Sequence, residues 1–310
     1  MAYTADSSAI TTPERTAYAA DKTFLLASAL HRYNALPRWS LTGSWASGSD
    51  VSATGYPARA ACDDLIDVPT RPIIQSPTVS DYYLLFDLDD VDIDAIAIIG
   101  HNFHLLSGTV TITAQVADND AFSTNLVSVA TWTPTTATRL VDLILSSWVR
   151  YTTVRYFRIK VSSTVAFASQ PSVCEVVAGT RRQLGRRPDR PWDSLALGGD
   201  VPRHRTKSGG SVKYTRNTGG VILKPSWTPA LSADAVTGID DSDVLRGIHE
   251  DTGYGARNLL FIDKPSTAPT VAHWCEYEGP EFSIPETDYD EGQASLQLVE
   301  LSPFALTEAL

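Results

Sequence analysis

Along residues 109–116 polar and apolar side chains alternate without a break. Val110, Ile112, Ala114 and Val116 form one set, and Thr109, Thr111, Thr113 and Gln115 the other. A period of two puts the sets on opposite faces of a β-strand. Upstream, YYLLFDLDDVDIDAIAIIG (82–100) holds two short apolar strands with acidic residues between them. LVSVATWTP, TVRYFRIKVSS and SVCEVVAGT add three more strand candidates. Short strands separated by turns, with no helix of note between them, predict an antiparallel β-sandwich over residues 38–180.

The flanks follow other patterns. Residues 1–37 are expected to form an N-terminal arm. Thr12 before Pro13 and Glu14 suits a helix start, and TAYAADKTFLLASALHRY sets Tyr18, Leu25, Leu26, Ala29 and Tyr33 roughly on one helical face. An extended arm is the alternative. Residues 181–210 are rich in Arg, Pro and Gly and predict a linker or long loop. Residues 211–310 predict a second, β-rich assembly domain with one short helix, Asp241–His249, capped within GIDDSD. In this domain ASLQLVEL alternates as a terminal core strand.

Composition narrows the class. A chain of 310 residues with 43% hydrophobic and 20% charged positions is globular and long enough for two cores. No apolar run approaches the ~20 residues that span a bilayer, and the first residues lack a signal-peptide pattern, so no membrane insertion is expected. Cys62, Cys174 and Cys275 are far apart, with no CxxC. Free thiols suit synthesis in a cytoplasm. Net charge is −11, against a general nucleic-acid partner. The charge is unevenly spread. From Thr180 to Arg216 ten basic residues face three acidic ones, a local +7, which leaves −18 elsewhere. Such a belt can bind phosphates or dock on an acidic surface of another copy of the chain, and the second reading needs no further partner. Arg181, Arg182, Arg186, Arg187 and Arg190 are therefore the expected interface residues.

Candidate chemistry is sparse. Gly100, His101 and Asn102, with His104 nearby, invite a metal or catalytic reading. The flanking strands instead make them a structural corner whose side chains satisfy backbone groups. VADNDAF (116–122) could be imagined as a calcium loop, but its spacing fits no EF-hand, and a solvated turn is expected. No nucleophile motif, zinc motif or phosphate loop occurs, so no catalytic residue, metal or cofactor is expected. Trp39 and Trp45 lie in a loop-rich entry to the sandwich and are the candidate carbohydrate contacts. The remaining tryptophans are expected to anchor cores.

DIDAIAIIGHNFHLLSGTVTITAQVADNDAF resembles a segment of tailed-phage structural proteins that carry a galactose-binding-like jelly roll. VRYFRIKVSS and PSVCEVVAGT look like closing strands of that domain. NLLFIDKP, HWCEYEGPEF and ASLQLVELSP are similar to the ends of minor or distal tail proteins. The resemblance implies a non-enzymatic virion component of the tail tip or baseplate. Such a component forms a homo-oligomeric ring and contacts the tail tube and baseplate hub. A host-glycan receptor-binding protein is the alternative reading, and a glycan-degrading enzyme with a carbohydrate-binding module a further one.

Overall fold

The computed structural model describes residues 2–20, 22–32, 36–47, 49–63, 69–73, 79–134, 141–145, 148–189, 193–196, 203–205, 211–213, 221–227, 239–253, 256–263, 272–277, 286–288, 291–292 and 294–300. Three antiparallel sheets dominate. The first has six strands: β1 (Thr4–Asp6), β3 (Leu36–Ser40), β4 (Asp81–Ile93), β6 (Val110–Ala117), β7 (Val127–Trp132) and β9 (Arg150–Ser163). Their order is β3-β4-β9-β6-β7, with β1 paired to the start of β9. The second has β5 (Ala95–His101) between β8 (Val141–Leu145) and β10 (Val173–Gly179).

The third sheet has seven strands. They are β2 (Phe24–Ala27), β11 (Arg181–Gln183), β12 (Asp193–Ala196), β15 (Val221–Lys224), β17 (Leu259–Ile262), β18 (Ala272–Tyr277) and β22 (Leu298–Glu300). Their order is β11-β2-β17-β18-β22-β15-β12. Small ribbons pair β13 (Arg203–Arg205) with β14 (Ser211–Lys213), β16 (Ser226–Trp227) with β21 (Ala294–Ser295), and β19 (Glu286–Asp288) with β20 (Glu291–Gly292). Helices are α1 (Thr12–Ala19), α2 (Ala29–Arg32) and α3 (Asp241–Asp251). The antiparallel β-sandwich and the second β-rich unit are thus present.

The middle sheet serves two cores. From β5, Ile96 and Ile98 join Leu84, Phe86, Ile112, Phe157 and Ile159 of the six-stranded sheet. The opposite face of β5, Ala95, Ala97 and Ile99, packs with Phe24, Leu26, Leu260, Ile262 and Trp274 of the seven-stranded sheet. With apolar side chains on both faces, two of them alanines on the second, β5 sits between two layers. The far face of the seven-stranded sheet carries Leu25, Leu259, Phe261 and Cys275, covered by Leu245 and Ile248 of α3. Each buried Leu, Ile or Phe contributes roughly 1.5–3 kcal/mol, so the three sheets and α3 are held mainly by this layering.

Several expectations change. The segment expected to be an arm supplies β1 to one sheet and β2, between β11 and β17, to another. FLLA is a strand with all four residues buried, so its apolar run had no polar face to mark the period. The helix begins one residue earlier than expected. Thr11, not Thr12, is the cap: its Oγ1 accepts from Glu14 N at 3.4 Å while Glu14 Oε2 accepts from Thr11 N at 2.7 Å. The start of the expected linker is β11, an edge strand paired with β2. ASLQLVEL is two short strands, β21 and β22, rather than one. The helix expected at Asp241–His249 runs to Asp251, with Asp240 as its cap.

Candidate functional site

The run Asp90, Asp92, Asp94 crosses from the end of β4 to the start of β5 at every second position. Asp94 is fully buried. Its Oδ1 accepts from Arg181 N at 2.8 Å and Arg181 Nε at 3.2 Å, and its Oδ2 accepts from Arg150 Nε at 2.8 Å. The Arg181 guanidinium also donates to Asp94 O at 2.8 Å and lies over the Trp148 ring, 4.9 Å from its centroid. Two guanidiniums on one carboxylate make this a tightly satisfied buried ion cluster, the condition under which a buried charge is tolerated.

Consecutive residues on a strand face opposite sides. Arg182 therefore points away from Asp94 toward α3, where its Nε donates to Asp251 Oδ2 at 2.8 Å. Burial disfavours the charge of Arg182. The hydrogen bond and charge of Asp251, with Asp94 and Glu250 behind them, outweigh burial and raise its pKa. Further along, Gly185 N and Arg186 Nε donate to the two carboxylate oxygens of the buried Asp241 at 2.6 and 3.0 Å. Both ends of α3 are thereby tied to residues 182–186.

These pairs border a cleft of about 320 Å³ at the junction of the layers. Asp90 and Asp92 of β4, Arg150 of β9, Thr180, Arg182 and Asp251 line it, with Ala27, Ala29 and Val91 completing the lining. Arg150 and Arg182 are each held through Nε, and their Nη groups make no hydrogen bond among the described residues. Asp90 likewise accepts none among the described residues, and Asp92 accepts one, from Thr153 N at 3.1 Å. The cleft thus sets guanidinium donors beside carboxylate acceptors.

The expected site residues fall elsewhere. Gly100 has φ of 62°, in the region open to glycine. His101 stacks on Phe103 with ring centroids 4.7 Å apart, and its Nδ1 accepts from Phe103 N at 3.3 Å. Asn102 is buried and clasps the loop before β10: Nδ2 donates to Gln170 O at 2.9 Å and Oδ1 accepts from Ser172 N at 2.7 Å. Among the described residues no group of three or more His, Cys, Asp or Glu could hold a metal ion.

Trp39 is wholly buried in the first core, its Nε1 donating to Thr70 Oγ1 at 2.8 Å, so its ring offers no face to a sugar. Trp45 is half-buried beneath the Arg38 guanidinium, 4.1 Å from its centroid. That cation occupies a face that a sugar would need.

For the arginines, the acidic partner expected on another copy lies within the chain at Arg181, Arg182 and Arg186. Arg181 is also too deeply buried to meet a partner surface. Arg190 lies outside the described residues. The sequence reading missed Asp90, Asp92, Arg150 and Asp251. The available signal was the every-second-residue spacing of Asp90, Asp92 and Asp94 where β4 ends and β5 begins.

No family model matches the chain, and no curated protein is similar to it. Several solved structures are loosely similar. A Ruminococcus gnavus GH29 fucosidase is 15% identical over 44% of this chain, with a TM-score of 0.32; the match spans 24% of the fucosidase. Chitosan-binding module 1 of a Paenibacillus sp. IK-5 chitosanase/glucanase is 16% identical over 48% of this chain and 96% of the module, at 0.33. The family 32 carbohydrate-binding module of C. perfringens NanJ, solved with galactose, is 16% identical over 49% of this chain and 98% of the module, at 0.34.

Proposed function

We propose that the chain is a carbohydrate-binding β-sandwich protein that acts by binding rather than catalysis, with the junction cleft as its site. One observation carries this reading: Nη donors of Arg150 and Arg182 that no described residue engages share a cleft with the acceptors Asp90 and Asp92. A sugar hydroxyl both donates and accepts, so it pairs with either group. Bonds to charged partners are the stronger class. The volume, about 320 Å³, lies in the range of small-ligand sites, and such sites favour junctions between structural units. Among the described residues that line the cleft none is aromatic, and the reading rests on hydrogen bonds rather than stacking. A glycan array with the intact chain, followed by calorimetry on the best ligands, tests this. Binding that is weakened by Asp92→Asn supports it. A blank array, or binding untouched by that change, removes the cleft as the site.

A second reading, a ring-forming tail component, is favoured by a separate feature. β7 is an outer strand of the six-stranded sheet; its first residue Val127 and the preceding Leu126 are exposed, and its outer edge pairs with no strand among the described residues. Open edges invite pairing with another chain. Mass photometry of the protein and of a Val127→Lys variant addresses it. A monomer at all concentrations, with or without tail-tube protein, ends that reading.

A further inference from the structure

Gly247 stands in the middle of α3, where glycine is a poor helix former and alanine would be the better residue. A glycine that breaks the local preference points to a demand from elsewhere. Here the demand comes from Arg182. A Cβ on Gly247 would stand 2.9 Å from Arg182 Cζ, 3.0 Å from Nη1 and 3.3 Å from Nε. The guanidinium thus lies against bare helix backbone, in the space a methyl group would take. From that position its Nε reaches Asp251 one turn further along the same helix.

Resting on the cleft reading above, we infer that Gly247 is a positioning residue of the binding site. Gly247 does not itself line the cleft. By lacking a side chain, it lets Arg182 lie flat on α3, pair with Asp251 and keep its two Nη groups at the cleft wall. The helix thereby sets where one of the two guanidinium donors stands. Any residue larger than glycine must lift Arg182 from the helix, and the end of a long side chain can be displaced while the backbone stays in place.

The test is Gly247→Ala in the full chain, with two readouts. The first needs no ligand. Phenylglyoxal modifies accessible guanidiniums, and peptide mass spectrometry reports the rate at Arg182. Displacement from Asp251 should raise that rate several-fold, while Arg155, far from the helix and already half-exposed, keeps its rate. The second is calorimetry with galactose and with the best array ligand. Gly247→Ala should lower affinity about tenfold, the scale of a displaced hydrogen bond to a charged group, with thermal stability unchanged or higher.

Arg182→Lys is the control, because an ammonium on a slender stem leaves room for the added methyl. In that background Gly247→Ala should leave affinity unchanged and stability unchanged or higher. If Gly247→Ala leaves the Arg182 rate at its wild-type value, Gly247 does not position Arg182 and the inference falls. If wild type binds no glycan but the rate rises, the positioning stands and the carbohydrate reading falls. If affinity drops equally in the Lys background, the glycine acts on the helix and not through Arg182, and the inference again falls. If Gly247→Ala unfolds the chain, the Arg182→Lys double variant decides: recovery of the fold supports the clash with Arg182, and failure overturns it.

Discussion

The six-stranded and seven-stranded sheets use the same kinds of residue but draw them from the chain differently. Four strands of the first, β4, β6, β7 and β9, come from residues 81–163. The strands of the second range from Phe24–Ala27 to Leu298–Glu300. β6 also presents one face to a core and the other toward solvent, so its sequence alternates. In the seven-stranded sheet β2 and β17 are buried throughout, and FLLA and LLFI show no alternation at all. A strand that faces two cores loses the polar face by which period two is recognised. The comparison teaches that the second sheet is assembled around the first unit's spare face. Six of its strands come from residues 181–300, and the seventh, β2, is supplied from ahead of the sandwich strands.

Removing residues 1–28 tests that difference most severely. A dispensable arm could be cut away without loss. A strand between β11 and β17 cannot, because its loss exposes Leu260 and Ile262 and leaves two strand edges unpaired. The truncated chain is expected to lose cooperative unfolding and its near-ultraviolet circular dichroism. A stable, cooperatively folded product would return this segment to the status of an arm.

Next in size is Asp94→Ala. Asp94 lies between the sheets and neutralises Arg181 and Arg150 together. Arg181 is 1% exposed and cannot turn to water. Breaking a buried pair on one side costs about 3–5 kcal/mol, which chemical denaturation would read directly. A loss under about 1 kcal/mol, the value for exposed pairs, would mean that the cluster is wet and that the layers are joined by apolar contact alone.

Legibility in the sequence follows the same physics. The sandwich strands, the α3 helix and its Asp240 cap were all marked by local pattern: alternation, a 3.6-residue stripe, a capping residue. β8 was passed over because VDLIL is short, and β2 was merged into a helix because its neighbours TAYAADK and ASALHRY suit one. The cleft was not legible. Asp90, Arg150, Arg182 and Asp251 are separated by up to 161 positions along the chain and meet only through sheet pairing and the packing of α3. What could be read was charge, and charge alone did not say whether the partner of a basic run was another molecule or the same one. Consecutive arginines on a strand split that question, with Arg181 going to the sandwich and Arg182 to α3.

The corner after β5 gives a smaller effect. Asn102 accepts and donates across to residues 170–172, so Asn102→Ala strands the Ser172 amide and the Gln170 carbonyl. Thermal and denaturant unfolding are expected to show a loss of about 1–3 kcal/mol. His101, half-buried and accepting a long bond from Phe103 N, should matter less than Asn102. A larger loss at His101 would place the corner's strength in its ring stack instead.

The smallest expected stability change belongs to Arg182→Ala, and it separates the two arginines most sharply. The Arg182 side chain is 36% exposed and its partner Asp251 is 20% exposed, so solvent screens the pair. Its loss is expected to cost less than about 1 kcal/mol, far below the effect of breaking the Arg181 cluster on the other face of the same strand. If Arg182 serves binding and Arg181 serves the fold, ligand affinity should respond in the opposite order. Arg182→Ala should weaken glycan binding at nearly unchanged stability, read by calorimetry beside a melting curve. A destabilisation that matches Asp94→Ala would instead make Arg182 a second structural clamp, fastening α3 to the seven-stranded sheet, and the cleft would then be the gap left between two clamps.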